Sequence, residues 1–268
     1  MTGVMRSRNH ATKRPAVGTM ATPIRLLLAA ALLSTVLASP QTVHARWKPQ
    51  QQAKGAVNAG HLERASRLHN TRYVKLRFPA NAWGTRQLVD LVQQCAKEVR
   101  RRHRSAHKLL VGDLSRRTGG PLPPHAGHQN GREADVGFYM RSGRALGGLW
   151  RVGGHDLDAR RTLTFLACAI DSHAISQIFL DRALQAPLVR EARRVGWKQA
   201  RIDKTFSWPR GRNVRVGVVQ HRGGHDNHLH LRLHCAPHEH HCRERPVARR
   251  HALRAKRKPR RHRRRRRP

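Results

Sequence analysis

The segment Gly223-Gly224-His225-Asp226-Asn227-His228-Leu229-His230-Leu231-Arg232-Leu233 constrains this chain more than any other. Side chains of a strand alternate between two faces, so its leucines and its polar residues cannot share one environment. Leu229, Leu231 and Leu233 need a core over them, and His228, His230 and Arg232 then point the other way, into a cleft. A sheet with one buried and one chemically active face follows. A second segment, Pro124-His125-Ala126-Gly127-His128-Gln129-Asn130-Gly131-Arg132-Glu133-Ala134-Asp135, offers matching chemistry. Here a histidine in a glycine-containing loop precedes an aspartate by seven residues, at the mouth of a predicted strand. Such a loop can bring two side chains onto one centre while the strand stays rigid.

The remaining pattern mixes both periodicities. Strands are predicted over Tyr73–Phe78, Leu109–Leu114, Asp135–Met140, Ile175–Leu180, Val214–Val219 and Leu229–Leu233. Leu88, Leu91, Val92, Cys95 and Val99 recur at helical spacing, which predicts a helix from Thr85 to about Arg102. Two more helices are expected, from Asp158 to Asp171 with Asp158 as cap, and from Leu184 to Val195 before Gly196. Helices interspersed with strands, without a regular βαβ period, indicate an α+β fold.

The 268 residues carry a net charge of +40, unevenly placed. Residues 1–69 contribute +9, residues 70–242 contribute +17 and residues 243–268 contribute +14. The last stretch has almost no apolar residues to offset the entropy of ordering, so it reads as a disordered Arg-rich tail, suited to anionic envelope polymers. Near the other end, the apolar run from Leu26 to Leu37 follows Arg25 and precedes Val43-His44-Ala45. Its length and flanks suit a signal peptide over residues 1–45, with the long leader allowing a start at Met1 or Met20. No stable transmembrane segment would then remain, and the mature protein would be periplasmic or secreted. Residues 46–69 read as a polar linker and 70–242 as the catalytic domain. In an oxidising compartment Cys235 and Cys242 are expected to close a local disulfide, while Cys95 and Cys168 are either bridged or simply buried. Nucleic acid is a poor partner: no base-reading motif is present, and aromatic residues, which could stack on bases, make up only 4% of the chain.

Twenty histidines make isolated ones uninformative. His103, His107, His173, His251 and His262 read as solvated, and His238-Glu239-His240-His241 as an adventitious metal patch. The two segments described first differ, because they combine imidazole with carboxylate, which suits zinc. His128, Asp135 and one histidine of the His228/His230 pair would supply three ligands, and the other would act on the activated water.

His125-x-x-His128-x-x-Gly131-x-x-x-Asp135, followed by His225-Asp226-x-His228-x-His230, resembles the penicillin-insensitive murein endopeptidase family. That family is related to D-Ala-D-Ala metallocarboxypeptidases and lysostaphin-type enzymes. Ile178-Phe179-Leu180-Asp181-Arg182 fits the same pattern, and the likeness covers roughly residues 70–242. The resemblance implies a small antiparallel sheet flanked by helices, with a Zn2+ site on the sheet face. It implies His128, Asp135 and His230 as ligands, and His125 lining the site near a second, weaker metal position. His228 would be the general base or transition-state stabiliser, with His225 assisting at the oxyanion. The implied reaction is hydrolysis of peptidoglycan peptide cross-links by metal-activated water, at the bond from D-alanine to diaminopimelate. Two departures are the Arg-rich tail and Asn227, which stands where many members carry an acidic residue. Competing readings are a related zinc D,D-carboxypeptidase or dipeptidase, and a secreted cationic polyanion-binding protein without catalysis.

Overall fold

Strand β10 (Leu229–Leu233) forms where the alternation places it and sits inside a six-stranded sheet. With β4 (Val74–Leu76), β6 (Leu109–Val111), β7 (Glu133–Val136), β8 (Ile175–Leu180) and β9 (Val219–His221), the sheet order is β4-β6-β7-β10-β8-β9. The computed structural model describes residues 50, 52–145, 147–211 and 213–244. The expected signal peptide, and the Arg-rich tail from residue 245 onward, lie outside the described residues. The α+β class holds, with one refinement. The inner four strands pair antiparallel, whereas the edge strands β4 and β9 pair parallel to β6 and β8, so the sheet is mixed.

Leu229, Leu231, Leu233, Ala134, Val136, Ile178 and Leu180 join one core with the apolar sides of the helices. Helix α1 (Arg86–Arg102) buries Leu88, Val89, Leu91, Val92, Cys95, Ala96 and Val99. Its N-terminus is capped by Thr85, whose hydroxyl accepts from Leu88 N–H, and Arg100, Arg101 and Arg102 complement the negative end of the helix dipole. Helix α2 (Ala159–Asp171) starts at the expected cap Asp158 and presents Leu163, Phe165, Leu166 and Ala169 to the same core. Cys95 and Cys168 form a disulfide between α1 and α2, which resolves the alternative left open by the sequence. Closing so long a loop contributes about 4 kcal/mol in the chain-entropy picture. Helix α3 (Arg182–Arg194) begins at the cap Asp181, two residues before the apolar pattern does. The short α4 (Gln199–Thr205) had no clear periodicity to reveal it.

Three expectations shift. The strand expected from Asp135 is β7, two residues earlier, because its pairing with β10 ends at Leu229–Val136. Of Val214–Val219 only the last residue enters β9; Val214 and Val216 are exposed, and Gly217 turns with φ +79°. Residues 46–69 are not simply linker. β1 (Ala53–Ala56) and β2 (Ala59–Leu62) make an antiparallel hairpin, and β3 (Ser66–Arg67) pairs with β5 (Trp83–Gly84). Ala53, Ala56, Val57, Leu62 and Leu68 are buried there; alanines and isolated aliphatics are a weak strand signal, and tertiary packing decides.

The hairpin positions the histidine loop. Gln129 N–H donates to Val57 O at 2.9 Å, and Asn130 Nδ2 to Gly55 O at 3.0 Å. On its other side the hairpin is gripped by the loop closed by the Cys235–Cys242 disulfide: Gly55 N–H donates to His241 O, and Glu239 Oε2 accepts from the amides of Gln52 and Ala53.

Candidate metal centre

Strand phase and register assemble the site. On the polar face of the sheet, His230 lies opposite Asp135 across the β7–β10 pair and Arg232 opposite Glu133; across β8–β10, His230 faces Phe179. His125 and His128 come from the loop before β7, and His225 and His228 from the turn before β10. His128 adopts φ +64°, a left-handed conformation held by its surroundings. Gly127 allows close approach: a Cβ there would lie 2.1 Å from Glu133 Oε2.

All of the sequence-predicted residues come together around Asp135. Its Oδ1 lies 2.9 Å from His230 Nδ1, 3.3 Å from His128 Nε2 and 3.3 Å from His228 Nε2, while Oδ2 lies 3.7 Å from His125 Nδ1. His225 adjoins through ring contacts, 4.9 Å from His228 and 5.7 Å from His230 between centroids. Three triads each bring ligand atoms within 4.8 Å of one another: His225–His228–His230, His125–His128–Asp135 and His128–Glu133–His230. They share members and make one cluster of histidine and carboxylate ligands.

In neutral rings, the hydrogen bonds around the cluster fix the tautomer. His128 Nδ1–H donates to Leu114 O at 2.6 Å, a carbonyl that only accepts, so Nε2 presents a lone pair. That Nε2 is buried and has no hydrogen-bond partner. His228 Nδ1–H donates to Asn227 Oδ1, which turns its Nε2 lone pair toward Asp135 as well. The two ring nitrogens each lie 3.3 Å from one carboxylate oxygen; when both rings are neutral in these tautomers they present lone pairs to it, a repulsion that a cation at the centre removes. The donor set, nitrogen and oxygen in a largely buried site, fits a divalent metal such as zinc.

Glu133 is the residue that sequence reasoning missed. It is fully buried, and its Oε1 lies 3.0 Å from His230 Nε2 and 2.6 Å from Arg232 Nε, while Oε2 accepts from His128 N–H at 2.6 Å. It braces two of the predicted ligands at once, the role of a carboxylate behind a ligating histidine. Its signal was available, since it stands two residues before Asp135 and so on the same strand face. Asp113 plays a similar part for His125, with Oδ2 3.0 Å from Nε2.

Charge states follow this geometry. Burial opposes charge on His230, but Glu133 and Asp135 outweigh it and hold the ring up at about 9. Burial alone would raise Asp135 and Glu133; the surrounding imidazoles, and Arg232 beside Glu133, keep both carboxyls far below their usual range. His125 is raised, mainly by its bond to Asp113. Burial pushes His225 down to about 4, and its Nδ1 bonds to Gly223 O, so near pH 7 it offers an acceptor at Nε2. Asn227 fills the place of the expected acidic residue with an amide oxygen that still fixes the tautomer of His228.

Other histidines separate from the cluster. His107 is not simply solvated: its Nε2 accepts from Met140 N–H at 3.0 Å, and burial lowers its pKa. His103 likewise contacts Thr164 Oγ1 at 2.9 Å. Among the described residues no helix is long and apolar enough to cross a membrane. Both disulfides fit an oxidising, extracytoplasmic setting.

Comparison with curated proteins finds no match. The family model for penicillin-insensitive murein endopeptidase matches residues 53–252, so it takes in the hairpin that braces the site. With three quarters of its length matched and a histidine–carboxylate cluster at the centre of the sheet, the chain belongs to the penicillin-insensitive murein endopeptidase family, a family of peptidases that hydrolyse peptidoglycan.

Proposed function

We propose that this protein is a zinc-dependent murein DD-endopeptidase that works outside the cytoplasm and cuts the D-alanine–diaminopimelate cross-link. The observation that carries the reading is the convergence of His128 Nε2, His228 Nε2 and His230 Nδ1 on one oxygen of Asp135. In this reading His128, Asp135 and His230 hold the zinc, with Glu133 and Leu114 O orienting the two imidazoles. When bound, zinc supplies the Lewis acidity that makes water a nucleophile near neutral pH.

The chain's own groups handle the proton. His228, with its Nδ1 proton donated to Asn227, takes a proton from the attacking water at Nε2 and returns it to the leaving amine. His225 assists as a proton acceptor; the bond from its Nδ1 to Gly223 O suits that role better than donation to an oxyanion. His125, tied to Asp113, lines the entrance and remains the candidate for a second, weaker metal contact. The polypeptide's positive charge, +17 over residues 70–242 alone, favours retention on an anionic cell wall.

The test is metal analysis of the purified protein together with digestion of cross-linked muropeptide dimers before and after chelation. Residues from 52 onward belong in any fragment used, since cutting at 70 would remove the hairpin. Stoichiometric zinc and chelator-sensitive conversion of dimers to monomers are expected. Release of terminal D-alanine alone would replace the endopeptidase by a carboxypeptidase, and metal-independent cleavage would overturn the proposal.

A further inference from the structure

Beyond the metal cluster, the polar face of the sheet opens into a cavity of about 900 Å³. Its lining includes Arg215, Arg222 and Arg232 and contains no aspartate or glutamate. The segregation is sharp, because the neighbouring metal cluster holds both Glu133 and Asp135. Among the described residues, no carboxylate forms an ion pair with Arg215 or Arg222.

Two of these cations are gathered at one place. The guanidinium carbons of Arg232 and Arg222 lie 5.2 and 5.7 Å from the centroid of the same ring, Phe179. Aromatic faces attract cations, and the charge of Arg232 is met by Glu133, which leaves Arg222 as the cation at this ring with no ion-paired carboxylate among the described residues. Arg232 is fixed in direction: Nε donates to Glu133 Oε1 at 2.6 Å and Nη1 to Gln177 Oε1 at 3.1 Å. Gln177 is held in turn by Gln220, whose own amide donates to Gly217 O. Arg222, by contrast, is exposed and offers its guanidinium to the cleft. Phe179 also touches the other side, with its centroid 5.4 Å from that of His230 and 5.8 Å from that of His225. One aromatic ring therefore separates the cationic pocket from the metal cluster.

We propose that this pocket is a carboxylate-binding subsite, in which Arg222, backed by Arg232, receives the carboxylate on the carbon bonded to the scissile amide nitrogen. The inference rests on the cross-link reading above. Each amine-bearing carbon of diaminopimelate also bears a carboxyl group. A D-alanyl–diaminopimelate amide whose carbonyl reaches the cluster therefore carries a negative charge directly beyond the nitrogen. A cleft with arginines and no acids beside the cluster recognises that charge by charge-assisted hydrogen bonds. The free carboxylate, rather than peptide sequence, would then mark the bond to be cut.

The test compares two muropeptide dimers, one with this carboxylate free and one with it converted to the carboxamide, using metal-loaded wild type and Arg222→Gln. The wild type is expected to prefer the free carboxylate by about tenfold or more in kcat/KM, the usual scale for a hydrogen bond to a charged group. In R222Q that preference should collapse toward unity through a rise in KM, and Arg222→Lys should restore part of it. Equal cleavage of both dimers by wild type, or undiminished preference in R222Q, would overturn the subsite and leave the endopeptidase reading intact. Failure of metal-loaded wild type to cut either dimer would overturn both.

Discussion

Two histidine-rich segments lie close together near the end of the described chain, and they do opposite things. In His225-Asp226-Asn227-His228-Leu229-His230, strand alternation sends the leucine into the core and the imidazoles toward Asp135 and Glu133. In His238-Glu239-His240-His241, the only carboxylate turns inward, and its Oε2 accepts the amides of Gln52 and Ala53. His240 and His241 stay exposed, and no metal-competent triad forms there among the described residues. Histidine density alone therefore does not make a site. A buried carboxylate that several imidazoles must share does.

The comparison can be broken most decisively at His230. His230→Ala should abolish both zinc retention and dimer cleavage, read by metal analysis and muropeptide digestion; an active, metal-free variant would sink the assignment. Glu133→Gln tests whether support behind the ligands matters as much as the ligands. Zinc affinity is expected to fall about 10–100-fold in a chelator competition. In the second segment, Glu239→Ala should act on stability instead. Two buried amides lose their acceptor, so unfolding free energy is expected to drop by about 1–3 kcal/mol in denaturant titration, with zinc still bound.

A smaller effect separates histidines that bind from histidines that build. Burial depresses His107, so the unfolded chain takes up a proton here at a higher pH than the folded protein does. Its contribution is complete above about pH 6.5 and is lost as the pH falls through the lower folded value. Wild type should lose stability between pH 7 and 5 more steeply than His107→Gln; parallel curves would remove His107 from the acid response. Smallest of all, His240→Ala should change stability by less than about 0.5 kcal/mol and leave zinc content unchanged. Loss of zinc in that variant would make the two segments alike.

Much of this arrangement is legible from residue order. The α+β class, most strands and the capped helices follow from periodicity and turn residues; spacing points to His128, Asp135 and the His228/His230 pair, and the family resemblance implies His125 and His225. These signals are local, and each element's own side chains suffice to state them. What was not legible depends on partners distant along the chain. The hairpin at 53–62 is built of alanine, glycine and single aliphatics, and it becomes strand because the 235–242 loop and the 129–130 backbone bond to it. Glu133 is important only because register sets it beside His230 and Arg232, about a hundred residues away.

By itself, then, the order of amino acids determined which side chains share a face, which strand must be half-buried and which residue types could meet a metal. Only the tertiary structure decided that Asp135 stands at the focus of four histidines, that Glu133 braces two of them and that Glu239 is spent on a hairpin. The reason is physical: periodicity acts within one element, whereas pairing, burial and shared protons are set between elements that meet only when the chain has folded.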